Sequence, residues 1–345
     1  MITVDSEGLR KLLDIFENVV ESGEAPDEEA VNGLVSTSSV SFLIEAYSRW
    51  SDFSKDGFVT ILANLANAYP VGQGGVLVRL EEGFRSCLDQ KKIESLRQKL
   101  EKILRLDFAE AERIALRYLP PETPIKSTIY LTIDTYNSGM VYAGNISLSI
   151  LNSDPENFNF SFLAHELHHS GFHYWVRRNP KLKNLAFKGS ISHEEIAVNM
   201  ILHLLSEGLA NHYCTPNMVR IHQKYSEKHN QKVKKYESNL NLMLLEIQSL
   251  LSGCISKDAS VEKCRRQLNS IVLDPEGVLP PVHFIGARLM ETFNKNPRIV
   301  ESNIIDLCRE PFRFFTFYSK VCQKYGFPQF PDEVIERVSK LLGAP

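Results

Sequence analysis

The chain has 345 residues, 43% of them hydrophobic, enough for one large domain or for two lobes around a cleft, each with an apolar core. A net charge of −3 gives no basic footprint for nucleic acid or an anionic membrane, so neither partner is expected. There is no 18-residue apolar run, and no basic-then-apolar leader at Met1-Ile2-Thr3-Val4-Asp5-Ser6-Glu7, so a cytoplasmic location is expected.

Residues 1–120 read as a helical region. Leu9, Leu12, Leu13, Phe16, Val19 and Val20 recur at helical spacing before a break at Ser22-Gly23-Glu24-Ala25-Pro26. Further helices are expected from Val40 to Trp50 and from Phe58 to Ala68, and residues 70–75 spell a loop. Lys91 to Tyr118 is rich in Lys, Glu, Arg and Leu, and Pro120-Pro121 ends it. Its charges are expected to form a solvated face.

The period then changes. Ser127 to Ile133 is β-branched and aromatic, Asn137-Ser138-Gly139 signals a turn, and Met140 to Ala143 and Asn145 to Leu151 read as short strands. A small sheet is therefore expected just before residue 153. An edge strand there could pair with an extended peptide, or the strands could serve only as scaffold.

The next stretch carries the chemistry: Ala164-His165-Glu166-Leu167-His168-His169-Ser170-Gly171. On a helix, His165 and His169 lie one turn and about 40° apart, so both imidazoles can reach one metal ion. Glu166 lies about 60° beyond His169, placed to take a proton from water without being a ligand. Ser153-Asp154-Pro155-Glu156 resembles a capping box, predicting a helix from there to about Arg178, ahead of Asn179-Pro180. Leu167 should share the far face with Phe160, Leu163 and Tyr174, making the helix amphipathic, and His168 should line the pocket or support a ligand. The five-residue motif also occurs by chance, so a third ligand is needed to make it a site.

A three-histidine extension would need glycine at 172 and histidine at 175, where the chain has Phe172 and Trp175. After Lys188-Gly189-Ser190 a second helix is expected from Ser192 to about Cys214, and Glu207 on it is the residue chosen as third ligand. It follows His169 by 38 positions, enough for a return helix, and Gly208 would let the two helices approach closely. Asn211 shares its face and could hydrogen-bond a ligand histidine. His203 is a rival one turn before Glu207. Glu194 and Glu195 are rivals too, though their place at the helix start is explained by the helix dipole.

With both motifs in view, the chain resembles the gluzincin metallopeptidases. More narrowly, it resembles a poorly characterised microbial group of zinc-dependent peptidases that pair A-H-E-x-H-H with a downstream S-E-G-x-A, here Ala164–His169 and Ser206–Ala210. The resemblance covers roughly residues 125–295. It implies Zn²⁺ held by His165, His169 and Glu207, Glu166 as general base, and a zincin-like core. Related peptidases also place a polar or aromatic residue, then a glycine and a methionine, on a helix near the cleft. That implies His283 of Pro281 to Met290 as an oxyanion-stabilising residue; the alternative is a histidine near a helix N-terminus with no catalytic role.

Residues 215–270 read as a helical hairpin whose lysines are solvated, and Phe312 to Pro345 as closing helices. Cys87, Cys214, Cys254, Cys264, Cys308 and Cys322 form no C-x-x-C pair and read as free, buried thiols, with Cys254 and Cys264 able to meet across a turn-back.

The expected fold is α+β, mainly α. A helical region (1–120) precedes a zincin-like core with a hairpin insertion (121–295) and closing helices (296–345). The expected activity is zinc-dependent hydrolysis of a peptide or protein substrate. The alternative is a non-catalytic zinc staple in a regulatory or interaction module, which four protein ligands, often cysteines, would favour.

Overall fold

The computed structural model describes residues 2–49, 51, 53–67, 75–187, 189 and 191–345. The loop expected at 70–74, the helix ends expected at Trp50 and Ala68, and Lys188 and Ser190 lie outside these residues. In chain order the elements are β1 (Ile2–Asp5), α1 (Glu7–Ser22), α2 (Glu28–Val35), α3 (Ser38–Tyr47), α4 (Lys55–Ala63), α5 (Gly75–Arg85), α6 (Gln90–Ile103) and α7 (Ala109–Arg117). Next come β2 (Ser127–Thr132), β3 (Gly139–Tyr142), β4 (Asn145–Ser149), α8 (Phe160–Arg178), α9 (His193–Tyr213), α10 (Glu227–Ser256) and α11 (Val261–Val272). The chain closes with α12 (Pro281–Asn294), α13 (Glu301–Ile305), α14 (Phe314–Tyr325) and α15 (Asp332–Leu341). This is a mainly helical α+β protein with one small mixed sheet.

The chain forms two compact units: residues 1–112 with 125–166, and residues 113–124 with 167–345. In the first, α1 buries Leu9, Leu12, Leu13, Phe16 and Val19, while Asp14 and Glu17 on its other side pair with Arg97 of α6 at 2.7 and 2.8 Å. Each buried side chain contributes roughly 1.5–3 kcal/mol relative to exposure, whereas such surface ion pairs contribute about 1 kcal/mol or less. Phe84 joins α5 to this core, with Phe16 and Phe58 at ring-centre distances of 5.6 and 5.9 Å.

The sheet order is β1-β2-β4-β3, with β1–β2 and β2–β4 parallel and β3–β4 antiparallel. Ala143 and Gly144, both at positive φ, turn β3 into β4 as a two-residue hairpin loop whose twist matches the strands. The first strand corrects the expectation that residues 1–120 are all helical. Its four residues are too few to show alternation, and its pairing partner lies far along the chain. Two helices also end early, α3 at Tyr47 and α4 at Ala63, and the stretch from Lys91 to Tyr118 divides into α6 and α7.

In the second unit α9 is the interior element. It is buried on nearly every side from Glu195 to Asn211 and packs against α10, α11, α12 and α15. A Cβ on Gly208 would lie 2.7 Å from the Gly286 carbonyl oxygen, and one on Gly286 would lie 2.5 Å from that of Leu204. Gly208 therefore permits close approach of α12. The close approach is thus to α12 and not, as expected from the sequence, to the helix of His165 and His169. The six cysteines are buried and free. Among the described residues, no helix is long and apolar enough to cross a membrane.

Candidate metal centre

α8 begins at Phe160, later than the capping pattern at Ser153 suggested. Asn159 caps it, its side-chain oxygen accepting from the Phe162 amide at 3.1 Å. Ser153 instead donates to the Ser149 carbonyl at 2.9 Å, and Asp154 accepts from the Glu156 amide at 3.0 Å. These local bonds hold 153–156 as a turn outside the helix. The helix ends at Arg178 before Asn179-Pro180, as the proline requires.

The expected amphipathicity is absent: residues 163–172 are buried without interruption. Leu163 and Leu167 have no exposed surface, but neither has His168, whose Nε2 lies 2.9 Å from the Tyr118 carbonyl oxygen. His168 thus ties the segment after α7 to α8, and it takes no part in the metal cluster.

His165 and His169 from α8 and Glu207 from α9 form a group that could hold a metal ion, with one ligand atom from each lying within 4.8 Å of the others. Both histidines are buried, His165 with its ring parallel to that of Phe162 at 6.5 Å. Glu207 Oε1 lies 3.4 Å from His169 Nε2. Two donors about 2.0–2.1 Å from one tetrahedral ion are separated by about 3.3 Å, so this pair already has a zinc-like spacing.

Each of these two side chains is oriented by a neighbour. His169 Nδ1 lies 2.7 Å from Ser206 Oγ, and an Nδ1–H donated to that oxygen leaves the Nε2 lone pair for a metal. Glu207 Oε2 lies 3.1 Å from His283 Nδ1 and 3.3 Å from Asn211 Nδ2. One carboxylate oxygen therefore faces His169 and the other is held from behind. Asn211 also donates to the Glu207 carbonyl at 2.9 Å and accepts from Thr215 at 3.2 Å, so it supports the glutamate and not a ligand histidine.

The remaining candidates fall outside the group. Glu195 belongs to the α9 cap: its amide bonds Ser192 Oγ at 3.1 Å and its carboxylate accepts from the Ile191 amide at 2.8 Å. Glu194 pairs with Lys257 at 3.0 Å. His203 packs its ring against Phe187 at 5.6 Å, and burial pushes its pKa down to about 4. His173, one turn beyond His169, lies 4.2 Å from the same Phe187 ring; burial first, then the neighbouring His169, hold its pKa well below the ordinary imidazole value.

Glu166 is 6% exposed and its carboxylate lies beside β3. A Cβ on Gly139 would come within 3.1 Å of Glu166 Oε1 and 3.0 Å of the Phe162 ring. In the sequence, Gly139 carries only a turn signal, and Ser206 stands only as part of the S-E-G-x-A motif. Ser206 could have been found, since it is adjacent to Glu207 and displaced by about 100° around the helix, toward a neighbouring element. Nothing in the sequence indicated Gly139's contact with α8.

Two imidazoles and a carboxylate, with no thiolate, are a donor set that fits zinc. Residues 86–326, well over half of the chain, match the family described as "Putative zinc dependent peptidase (DUF5700)", and the chain belongs to that family. Zinc is the cofactor to which that description and the donor set both point. No curated protein and no solved structure matches the chain.

Proposed function

We propose that the chain is a gluzincin-type zinc metallopeptidase with a zincin-like core over residues 121–295, acting on peptide or protein substrates. The observation that carries this reading is the His165–His169–Glu207 group, with Glu166 adjacent to His165 on the same helix. When bound, zinc would supply Lewis acidity, bringing a water's pKa toward about 7 and polarising the scissile carbonyl. Glu166 takes the proton of the attacking water and passes it to the leaving amine. Ser206 keeps His169 in one tautomer, and Asn211 and His283 hold Glu207 Oε2 so that Oε1 stays directed at the metal. His283 is further assigned to stabilise the oxyanion through its other ring nitrogen. The edge strand β3, beside Glu166, offers backbone groups on which an extended substrate can pair.

The test compares the zinc-loaded wild type with Glu166→Gln and Glu207→Ala on a peptide library. Glu166→Gln should keep one equivalent of zinc and lose cleavage by about 100-fold or more, while Glu207→Ala should lose zinc. Undiminished hydrolysis by Glu166→Gln overturns the assignment. A wild type holding one equivalent of zinc yet cleaving no library member would favour the staple.

A further inference from the structure

In the second unit, where α8 ends, a cavity of about 480 Å³ is lined by three cations, Arg178, Lys181 and Arg309, together with Trp175, Asn179 and Gly343. No acidic residue lines it, although the chain carries 42 acidic residues to 39 basic ones. Among the described residues none of the three cations has a carboxylate within ion-pair distance. Lys181 donates to the Ala344 carbonyl at 2.6 Å and Arg178 to the Tyr174 hydroxyl at 3.1 Å. Arg309 donates to the Pro121 carbonyl at 2.5 Å. Their acceptors are neutral, so among the described residues none of the three charges is held in an ion pair.

Arg309 is also pre-positioned. Its guanidinium lies 4.2 Å over the Trp175 ring, and Trp175 is fixed in turn by donating Nε1–H to Thr123 Oγ1 at 2.7 Å. A flat guanidinium held by stacking loses little freedom on binding and suits a planar or tetrahedral oxyanion. Arg178 alone would be explained by its place in the last turn of α8, where cations offset the helix dipole. That explanation does not extend to Lys181 and Arg309, which lie outside the helix yet face the same cavity. Three like charges around one space repel one another, and an anion between them removes that cost.

We propose that this cavity binds a small ligand bearing phosphate or carboxylate groups. Its volume lies within the usual range for small-molecule sites, about 300–1,000 Å³. Trp175 follows His169 by six positions on α8, and Glu166 plays no part in the cavity, so the proposal stands apart from the peptidase reading.

The experiment is calorimetric titration of the zinc-loaded full chain with inorganic phosphate, pyrophosphate and citrate, each at matched ionic strength against sodium chloride. Saturable one-site binding is expected, about 10–100-fold weaker in Arg309→Gln and weakened less in Lys181→Ala. Preference for pyrophosphate over citrate identifies a phosphorylated ligand, and the reverse a carboxylated one. Should Arg309→Gln fail to fold, the double variant Arg178→Ala, Lys181→Ala is expected to show the loss. The proposal is overturned if no probe saturates above the chloride control, or if the folded variants bind like the wild type. Glu166→Gln should bind the probes unchanged, which separates this site from the metal centre.

Discussion

Ser206 Oγ lies 2.7 Å from His169 Nδ1, one residue along α9 from the carboxylate that faces Nε2 of the same ring. Two adjacent residues therefore act on the two nitrogens of one imidazole. Ser206→Ala is expected to weaken zinc binding about 10–100-fold while leaving the fold intact, checked by competition with a chromogenic chelator. Affinity equal to the wild type would mean that Ser206 does not set the tautomer.

Gly139→Ala places a methyl group against Glu166 Oε1 and Phe162. Zinc content should be unchanged, because neither side chain belongs to the His165–His169–Glu207 group. The turnover of any cleaved peptide should fall by about tenfold or more, because the carboxylate must move from its position. Loss of zinc from this variant would show that the strand supports the His165–His169–Glu207 group and not the proposed base.

Gly208→Ala should cost about 3 kcal/mol or more in denaturant unfolding, since the added atom meets backbone at 2.7 Å and neither helix can yield locally. Gly33→Ala is the control. Gly33 lies within α2, and a Cβ there meets nothing within 4 Å, so that change should be neutral or stabilising by up to about 1 kcal/mol. Similar effects from both substitutions would rule out the tight crossing of α9 and α12.

Glu291 on α12 gives the acid side of the stability curve. Burial raises its pKa, but hydrogen bonds from Lys295 and Arg288, both at 2.8 Å, outweigh that and bring it to about 2 from an ordinary 4.5. A depressed carboxylate stabilises the fold above its unfolded value, and the contribution is lost as pH falls from 4.5 toward 2. Discounted for partial exposure, the effect is about 1 kcal/mol. Glu291→Gln should thus be less stable than the wild type at pH 7, with the gap closing below pH 3 in urea titrations.

How much of this was legible beforehand follows from the range of each interaction. The helices of His165 and Glu207 were readable because their periodicity and the stop at Asn179-Pro180 are local, and the pairing of the two motifs rested on order along the chain. The start of α8 was misplaced because Ser153 and Asn159 are both plausible caps, and only the hydrogen bonds actually formed separate them. The burial of α8 on all sides, the Gly208–Gly286 crossing and the place of Gly139 beside Glu166 depend on partners remote in sequence. No local pattern encodes them.

The pairing of β1 with β2 bears on how the molecule is made. Thr3 and Thr128 share a hydroxyl hydrogen bond across 125 residues, so the sheet joins two strands that are synthesised far apart in time. Helices α1 to α6 can form early from local contacts, but the first unit cannot close until β2 has emerged and met the waiting β1. Closing so long a loop makes β1 docking a late step, and the unpaired strand stays open to proteases and chaperones in the interval.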